Sequence, residues 1–455
     1  MITQSLAQLT EVVGGRLIGT DVEIERVNTD SRRLQPGDLF VALVGERFDG
    51  HDFVASAAEA GASAVLVSRE LDSSLPQILV EDTLMALGQL GAWLRREVNP
   101  YSVALTGSVG KTSVKEMAAA IFAQAGETLA TRGNLNNTIG VPLTLLELEP
   151  QHRFGVFELG ANHAGEIRYT SSLVRPDVAL INNIQPAHLE GFGGMDGVYR
   201  AKSEIFEYLA ADGKAVVNLD DDRADDLLAL LEDRDVIRFS SETVADVWAE
   251  QVEPGNFGHY RFNLHRGEHC VPVQLPVAGR HQVNNALAAA SLASAAELSL
   301  ELIAAGLANT PEVAGRNQFH KITDQLTVVD DSYNANLAST RAAIDLLAQQ
   351  NGVTLLVFGD MGELGDSAEA HHREVGRYAA QKGIDYLLTT GTLSGFAAEQ
   401  FEGAEHLDDQ PELIRQLVRR IQGIQAPTTI LIKGSRSARM EQVVAALREQ
   451  FGDNQ

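Results

Sequence analysis

Apolar and polar positions fall into two rhythms along this chain. Between about residues 100 and 311, short apolar runs alternate with longer helix-forming segments, the order expected of a doubly wound parallel sheet. Ser102-Val103-Ala104-Leu105, Phe154-Gly155-Val156-Phe157 and Asp177-Val178-Ala179-Leu180-Ile181 read as buried strands. Helices are expected over 114–125 and over the Ala-rich stretch 285–297, and 235–278 looks more antiparallel. Upstream, residues 1–82 hold short strands such as 38–43 and 64–67 around an Ala-rich helix at 53–60. A helical stretch over 83–97 then leads through Asn99-Pro100 into the central region. Downstream, the runs Leu326 to Val329, Thr354 to Phe358 and Thr429 to Ile432 alternate with helices and predict a second, smaller α/β unit. The pattern therefore predicts a three-domain α/β protein. Its parts are a small N-terminal α/β domain (1–82), a central doubly wound P-loop domain (83–311) and a C-terminal Rossmann-like domain (312–455).

Composition changes this picture in two respects. The formal net charge is −26, from 36 basic and 62 acidic residues. So acidic a chain is a poor partner for nucleic acid or an anionic membrane, and any anionic ligand must be met by local clusters of cations and backbone N–H groups. The single cysteine, Cys270, excludes an intramolecular disulfide and suits a reducing compartment. Residues 1–10 show neither a basic nor an apolar leader segment, and no run approaches the ~20 apolar residues that span a bilayer. The expectation is a cytoplasmic protein without membrane insertion.

The chemistry is concentrated in Thr106-Gly107-Ser108-Val109-Gly110-Lys111-Thr112-Ser113, which follows a strand and opens a helix. Glycines there let backbone N–H groups converge on an anion at the positive end of the helix. Lys111 can reach terminal phosphates, and the hydroxyl of Thr112 or Ser113 can complete a Mg²⁺ shell. Leu105 stands where the full P-loop pattern has its first glycine, so the loop is a shortened form. It predicts binding of a nucleoside triphosphate.

In open α/β sheets, ligands sit beyond the carboxyl ends of the strands. Besides the phosphate loop, one predicted strand ends in Glu158 and another in Asn182-Asn183, with His188 just beyond. A carboxylate and an imidazole beside a triphosphate suit Mg²⁺ ligation. Lys202, expected to begin a helix, would serve such a site only as a carbamate, which turns a cation into a two-oxygen ligand. In the last third, strands run into Asp330-Asp331-Ser332-Tyr333-Asn334, into Gly359-Asp360-Met361-Gly362-Glu363 and into Lys433-Gly434-Ser435-Arg436. Together they describe a ligand-binding edge facing the nucleotide across a cleft.

With these segments in this order, the chain resembles the Mur ligases, ATP-dependent amide-forming enzymes of peptidoglycan precursor synthesis. Its shared segments are the phosphate loop, the Glu158 region, Asn183 to Gly193, the Lys202 region, Gly279-Arg280-His281, Gly315-Arg316 and Asp331 to Asn336. Lys111-Thr112-Ser113-Val114-Lys115-Glu116, Gly133-Asn134-Leu135-Asn136-Asn137 and Gly359 to Gly365 are similar to the members that add D-alanyl-D-alanine. An Asp-Asn-Pro-Arg motif, carried by the diaminopimelate-adding members, is lacking.

The resemblance implies ATP, two Mg²⁺ ions and CO2 (as the Lys202 carbamate) as cofactors. It implies UDP-N-acetylmuramoyl-tripeptide and D-Ala-D-Ala as substrates, and a monomer. By the same resemblance, Thr106 to Ser113, Asn285, Arg316 and Asp331 bind ATP, with Asn285 near adenine, Asp331 near ribose and Arg316 on the γ-phosphate. Thr112, Glu158, His188 and carbamylated Lys202 hold metal, and Lys111, Lys202, His188 and Arg316 are catalytic. Ser31 holds the UDP end, and Asn134, Asn137, Thr138, Asn334, Asp360 and Ser435 are further substrate-binding candidates. Two residues depart from the family pattern: Gln282 stands where many members have Asn, and Leu337 replaces the usual Pro, which is expected to alter only a turn. Other readings stay open at this level: a Mur-type ligase adding a different amino acid, or a P-loop ATPase or switch module. The third residue of the tripeptide, diaminopimelate or lysine, is also open.

Overall fold

Alternating burial along single strands builds the central layer. The computed structural model describes residues 2–45, 48–186, 189–255 and 258–452. In strand Tyr101–Thr106, Val103 and Leu105 face one apolar cluster and Ala104 faces another. Val156 and Phe157, and Leu180 and Ile181, divide the same way on the neighbouring strands. Both sheet faces are covered, as parallel sheets require.

Among the described residues this sheet has nine strands. Their order is His269–Ala278, His259–Arg266, Val247–Pro254, Asp235–Ser240, Lys214–Asn218, Val178–Ile181, Tyr101–Thr106, Phe154–Glu158 and Thr128–Ala130. Pairing is parallel from Thr128–Ala130 through to Val247–Pro254 and antiparallel for the last two. The antiparallel expectation therefore applies from Val247 onward. Asp235–Ser240 is parallel because helix Ala224–Leu230 carries the chain back across the sheet before it.

The C-terminal sheet runs Gln318–Lys321, Leu326–Asp331, Thr428–Lys433, Val353–Gly359, Tyr386–Thr390 and Glu405–Leu407, parallel apart from its first pair. The N-terminal sheet runs Arg16–Ile18, Gln77–Leu79, Ala64–Val67, Asp38–Val41 and Arg26–Asn28. Helix Thr83–Val98, capped by the Asp82 carboxylate, leads from it to the phosphate-loop strand.

Three local expectations change. Lys202 lies in the last turn of helix Met195–Ser203, not at a helix start, because the chain already becomes helical after Gly194. The Ala-rich helix spans His281–Ala295, starting ahead of Asn285. It follows Gly279, whose φ of 112° turns the chain, and no side-chain cap marks its start in the sequence. Leu337 is the first residue of helix Leu337–Ala348, where proline is also tolerated, and Asn336 with Ser339 forms a capping box there. The departure from Pro thus falls on a helix start rather than a turn.

Helix Lys111–Phe122, which the phosphate loop opens, packs against helices His281–Ala295 and Leu300–Ala308. The helices approach closely at Gly306, where a Cβ would sit 2.3 Å from Ile121 Cα. Gly306→Ala is expected to destabilise the protein by about 1–3 kcal/mol through overpacking. Denaturant unfolding of the ligand-free protein checks this, and an unchanged midpoint would contradict the packing.

Candidate active site

Polar strand ends of the central and C-terminal sheets face one cavity of about 1300 Å³. On the central side, Glu158 pairs in register with Leu105 and Ile181 with Thr106, so the ends of three adjacent parallel strands lie side by side. On the C-terminal side, Lys433 lies opposite Asp331 in one pairing and Phe358 in the other. Of the sequence candidates, Ser108 to Ser113, Asn134, Asn137, Thr138, Glu158, Asn285, Arg316, Asp331, Asn334 and Ser435 line the cavity.

The phosphate loop is held from behind. Ser108 donates its hydroxyl to the Gln185 carbonyl at 2.8 Å and accepts the Gln185 N–H at 2.9 Å. Gly110 sits at φ 79°, and a Cβ there would lie 2.5 Å from Asn285 Oδ1 and 2.7 Å from Asn182 Nδ2. Lys111 folds back to donate to the Gly107 carbonyl at 2.8 Å. Its ammonium is pushed below its ordinary range by burial, with nearby Arg316 adding to the effect and Glu158 opposing it. Thr106 is buried at the strand end, and its hydroxyl has no hydrogen-bond partner among the described residues.

Glu158 is buried, with Oε1 accepting from Asn136 Nδ2 at 2.7 Å. Its Oε2 is buried without a partner among the described residues. A buried carboxylate oxygen left without a donor is costly unless a cation meets it. The Thr112 hydroxyl accepts from Arg316 at 3.2 Å, across 204 positions of sequence. Lys202 is buried, its Nζ 6.0 Å from the centre of the Phe192 ring. Burial and the charge of Lys111 hold its ammonium well below its ordinary range, favouring the neutral amine. Hard oxygen donors at Glu158 and Thr112 beside a triphosphate cradle fit Mg²⁺. His188 lies outside the described residues.

From the C-terminal side, Arg316 spans to the phosphate-loop helix while its guanidinium stacks over Tyr333, 4.5 Å from the ring centre. Asp331 forms a buried ion pair with Lys433, whose Nζ also donates to the Asn334 carbonyl at 3.0 Å. Burial pushes the Asp331 carboxyl upward, opposed by the Lys433 ammonium. His281, at the start of its helix, is held at about 4 by burial and by the charge of Lys433.

Some candidates are used elsewhere. Asp360 is absent from the cavity lining, because its carboxylate accepts the N–H groups of Thr392, Leu393 and Ser394 at 2.7–3.0 Å. Ser31 lies in a 3-10 turn beside the N-terminal sheet, capped by Asp30, away from this cavity. Asn137 lines the cavity while its Oδ1 caps the turn into helix Gly140–Leu145, accepting from Gly140 at 2.8 Å. Conversely, Asn136, Asn182, Gln282, His281 and Lys433 line the site and were not among the sequence candidates for it. Lys433 had a signal in its position at a strand end. Asn182 had the same signal and Gln282 stood out as a departure from the family pattern, but their partners lie far along the chain and were not legible.

Three family models match the chain. They are the Mur ligase middle domain over residues 105–293, the Mur ligase glutamate ligase domain over 315–436, and the Mur ligase family catalytic domain over 23–93. The chain is 48% identical to UDP-N-acetylmuramoyl-tripeptide--D-alanyl-D-alanine ligase of Escherichia coli, with 99% of each chain covered. It is 42% identical to the Haemophilus influenzae protein of the same name, covering 99% of this chain and 100% of that one. Among solved structures it is similar to MurF from Acinetobacter baumannii, with a TM-score of 0.94, 41% identity and coverage of 98% and 99%. MurF ligase from Thermotoga maritima in complex with ADP matches with a TM-score of 0.84 and 26% identity, covering 94% and 98%.

The depressed His281 value sets a pH dependence. An unfolded histidine titrates near 6.5, so between about 6.5 and about 4 the unfolded chain binds the proton that the folded imidazole refuses. The contribution of His281 to stability should fall as pH drops through that window and be constant above it. Denaturant unfolding at pH 7 and pH 5 is expected to show a smaller loss in His281→Gln than in the parent protein. Equal losses would contradict the assignment.

Proposed function

We infer the reaction from one premise: this chain belongs to the Mur ligase family. It is an ATP-dependent amide ligase that joins D-alanyl-D-alanine to UDP-N-acetylmuramoyl-tripeptide in peptidoglycan synthesis, releasing ADP and phosphate. The observation that carries this reading is a cavity where the phosphate loop and Glu158 meet Arg316, Asp331 and Lys433 from the C-terminal side, with Lys202 buried outside that lining. A simple P-loop switch would have no use for that second, charged wall or for the N-terminal sheet.

The chemistry follows from the electrophile. A carboxylate resists attack by an amine because its carbon shares a full negative charge. Transfer of the γ-phosphoryl group from ATP to the tripeptide's terminal carboxylate removes that charge and installs a leaving group. The dipeptide's free amine then attacks the acyl carbon, the tetrahedral oxyanion collapses, and the C–O bond to phosphate breaks. The amine loses a proton in forming the amide. Lys111 and the N–H groups of residues 107–113 would neutralise the phosphates, and Arg316, already against Thr112, would add charge at the γ-position. Approach of the C-terminal wall would keep water from the acyl phosphate.

Thr112, Glu158, His188 and Lys202 as its carbamate are the proposed Mg²⁺ ligands, for two ions. Bound Mg²⁺ supplies charge neutralisation on the phosphoryl oxygens. Burial shifts Lys202 toward the neutral amine, the form that can add CO2: the nitrogen lone pair forms the N–C bond and the nitrogen then loses a proton. Asn285 and Asp331 are proposed for adenosine, Ser31 for the UDP end, and Asn134, Asn137, Thr138, Asn334 and Ser435 for the remaining substrate. Asp360 is retained only as a support for the loop after Thr390. The proposed domain divisions are 1–82, 83–311 and 312–455, and the proposed state is a cytoplasmic monomer. Among the described residues no helix is long and apolar enough to cross a membrane.

The test is phosphate release with Mg-ATP and UDP-N-acetylmuramoyl-tripeptide, with and without D-Ala-D-Ala. Release requiring both substrates, with the pentapeptide found by mass, is expected. Equal use of other amines would point to a different Mur-type ligase, and release independent of both to an ATPase. Lys111→Ala should abolish turnover, and normal activity in that variant would sink the phosphate-loop reading. For Lys202, ¹³C-bicarbonate should give a carbamate carbonyl resonance in the parent protein that is missing in Lys202→Arg.

A further inference from the structure

A chain of buried amides runs beneath the phosphate loop, and the reaction above uses none of its members but Asn285. Gln282 Oε1 accepts from Asn285 Nδ2 at 2.9 Å, and Asn285 Oδ1 accepts from Asn182 Nδ2 at 3.0 Å. The second hydrogen of that Asn182 Nδ2 goes to the Val109 carbonyl at 3.0 Å. Asn183 completes the grip, donating to the same carbonyl at 3.0 Å and accepting the Val109 N–H at 2.9 Å. Asn218 donates to the Asn182 carbonyl at 3.0 Å and steadies the strand end. Gln282, Asn285 and Asn182 are all at least nine-tenths buried, at 4%, 5% and 2% exposure.

Donor and acceptor bookkeeping gives the arrangement one orientation. A carbonyl oxygen has two lone pairs, and Asn182 and Asn183 fill both at Val109. A carbonyl turned into a phosphate cradle would repel phosphate oxygens, so its capture removes that state. In a trans peptide the C=O and the following N–H point to opposite sides. Holding the Val109 oxygen inward therefore directs the Gly110 N–H outward, toward the ligand. Asn285 can accept from Asn182 only while its own Nδ2 is turned the other way, and Gln282 holds it so.

We propose that Asn182 and Gln282 are positioning residues for ATP. Through Asn285 they preset the phosphate loop by locking the Val109 carbonyl away from the phosphates. The loop and the first turn of helix His281–Ala295 then move as one body. This gives Gln282, the departure from the family pattern, a defined task. The proposal rests on the reading of residues 106–113 as the ATP-phosphate cradle.

The experiment is equilibrium binding of Mg-ATP, tripolyphosphate and adenosine to the full chain, by competition with a fluorescent ATP analogue, together with steady-state kinetics. Asn182→Ala and Gln282→Ala should each weaken Mg-ATP and tripolyphosphate about tenfold, as expected for loss of one buried hydrogen bond of this kind. Adenosine should bind as before. KM for ATP should rise with kcat within about twofold, and KM for the UDP substrate should not move. Because the residues act in series, the double variant should cost no more than the worse single one. Full additivity, unchanged tripolyphosphate affinity, or loss of adenosine in step with ATP would overturn the proposal. If Asn182→Ala does not fold, Gln282→Ala carries the same comparison. Failure of the unsubstituted protein to bind tripolyphosphate at all would instead remove the cradle reading on which the proposal stands.

Discussion

Gly110 leaves no room for a side chain, and the geometry of the nucleotide end of the molecule depends on that. Its left-handed backbone lets the chain turn from strand Tyr101–Thr106 into helix Lys111–Phe122 within a few residues. The space a Cβ would take is filled by Asn285 and Asn182, one from a helix far along the chain and one from the next strand end. The turn, the helix behind it and the neighbouring strand are thereby locked into one unit. A loop held this way can present its amides to an anion without paying for reorganisation when the anion arrives.

Electrostatics supplies the second constraint. A chain of net charge −26 has to receive polyanionic substrates. It gathers Lys111, Arg316 and Lys433 in one cavity with Lys202 buried beside it, and burial disfavours the charges of Lys111 and Lys202. The four cations are partnered differently. Lys433 has Asp331 as a buried partner, and Arg316 spreads its charge over Tyr333 and the Thr112 hydroxyl. Lys202 is shifted toward the neutral amine by burial and, secondarily, by the nearby Lys111, which is also what carbamate formation needs.

The same surroundings explain why the candidates divide as they do. Glu158 and Asp360 both stand at strand ends, and residue type alone does not separate them. Asp360 meets three backbone N–H groups of the loop after Thr390, so its charge is spent on holding that loop. Glu158 meets a single amide, from Asn136, and retains a buried oxygen for a cation. What separates the proposed ligand from the support is the number of donors that reach it.

Much of the molecule was legible from the chain alone. Apolar runs of strand length and the helices between them specify parallel layers, because burial on both faces demands such runs. The glycine–lysine loop after Leu105 specifies a phosphate cradle, since its backbone requirement is local. Helix starts lacking a side-chain cap, as at His281, and the position of Lys202 in its helix were less legible, because their signals are weak or lie in neighbouring packing. Only the tertiary structure decided which strand ends are neighbours, that Lys433 pairs with Asp331, that Arg316 reaches Thr112, and that Gln282 acts on Val109 through two asparagines. Periodicity records whether a residue is buried and in what local backbone. The partner it meets there depends on sheet order and register between distant segments, which no local pattern encodes.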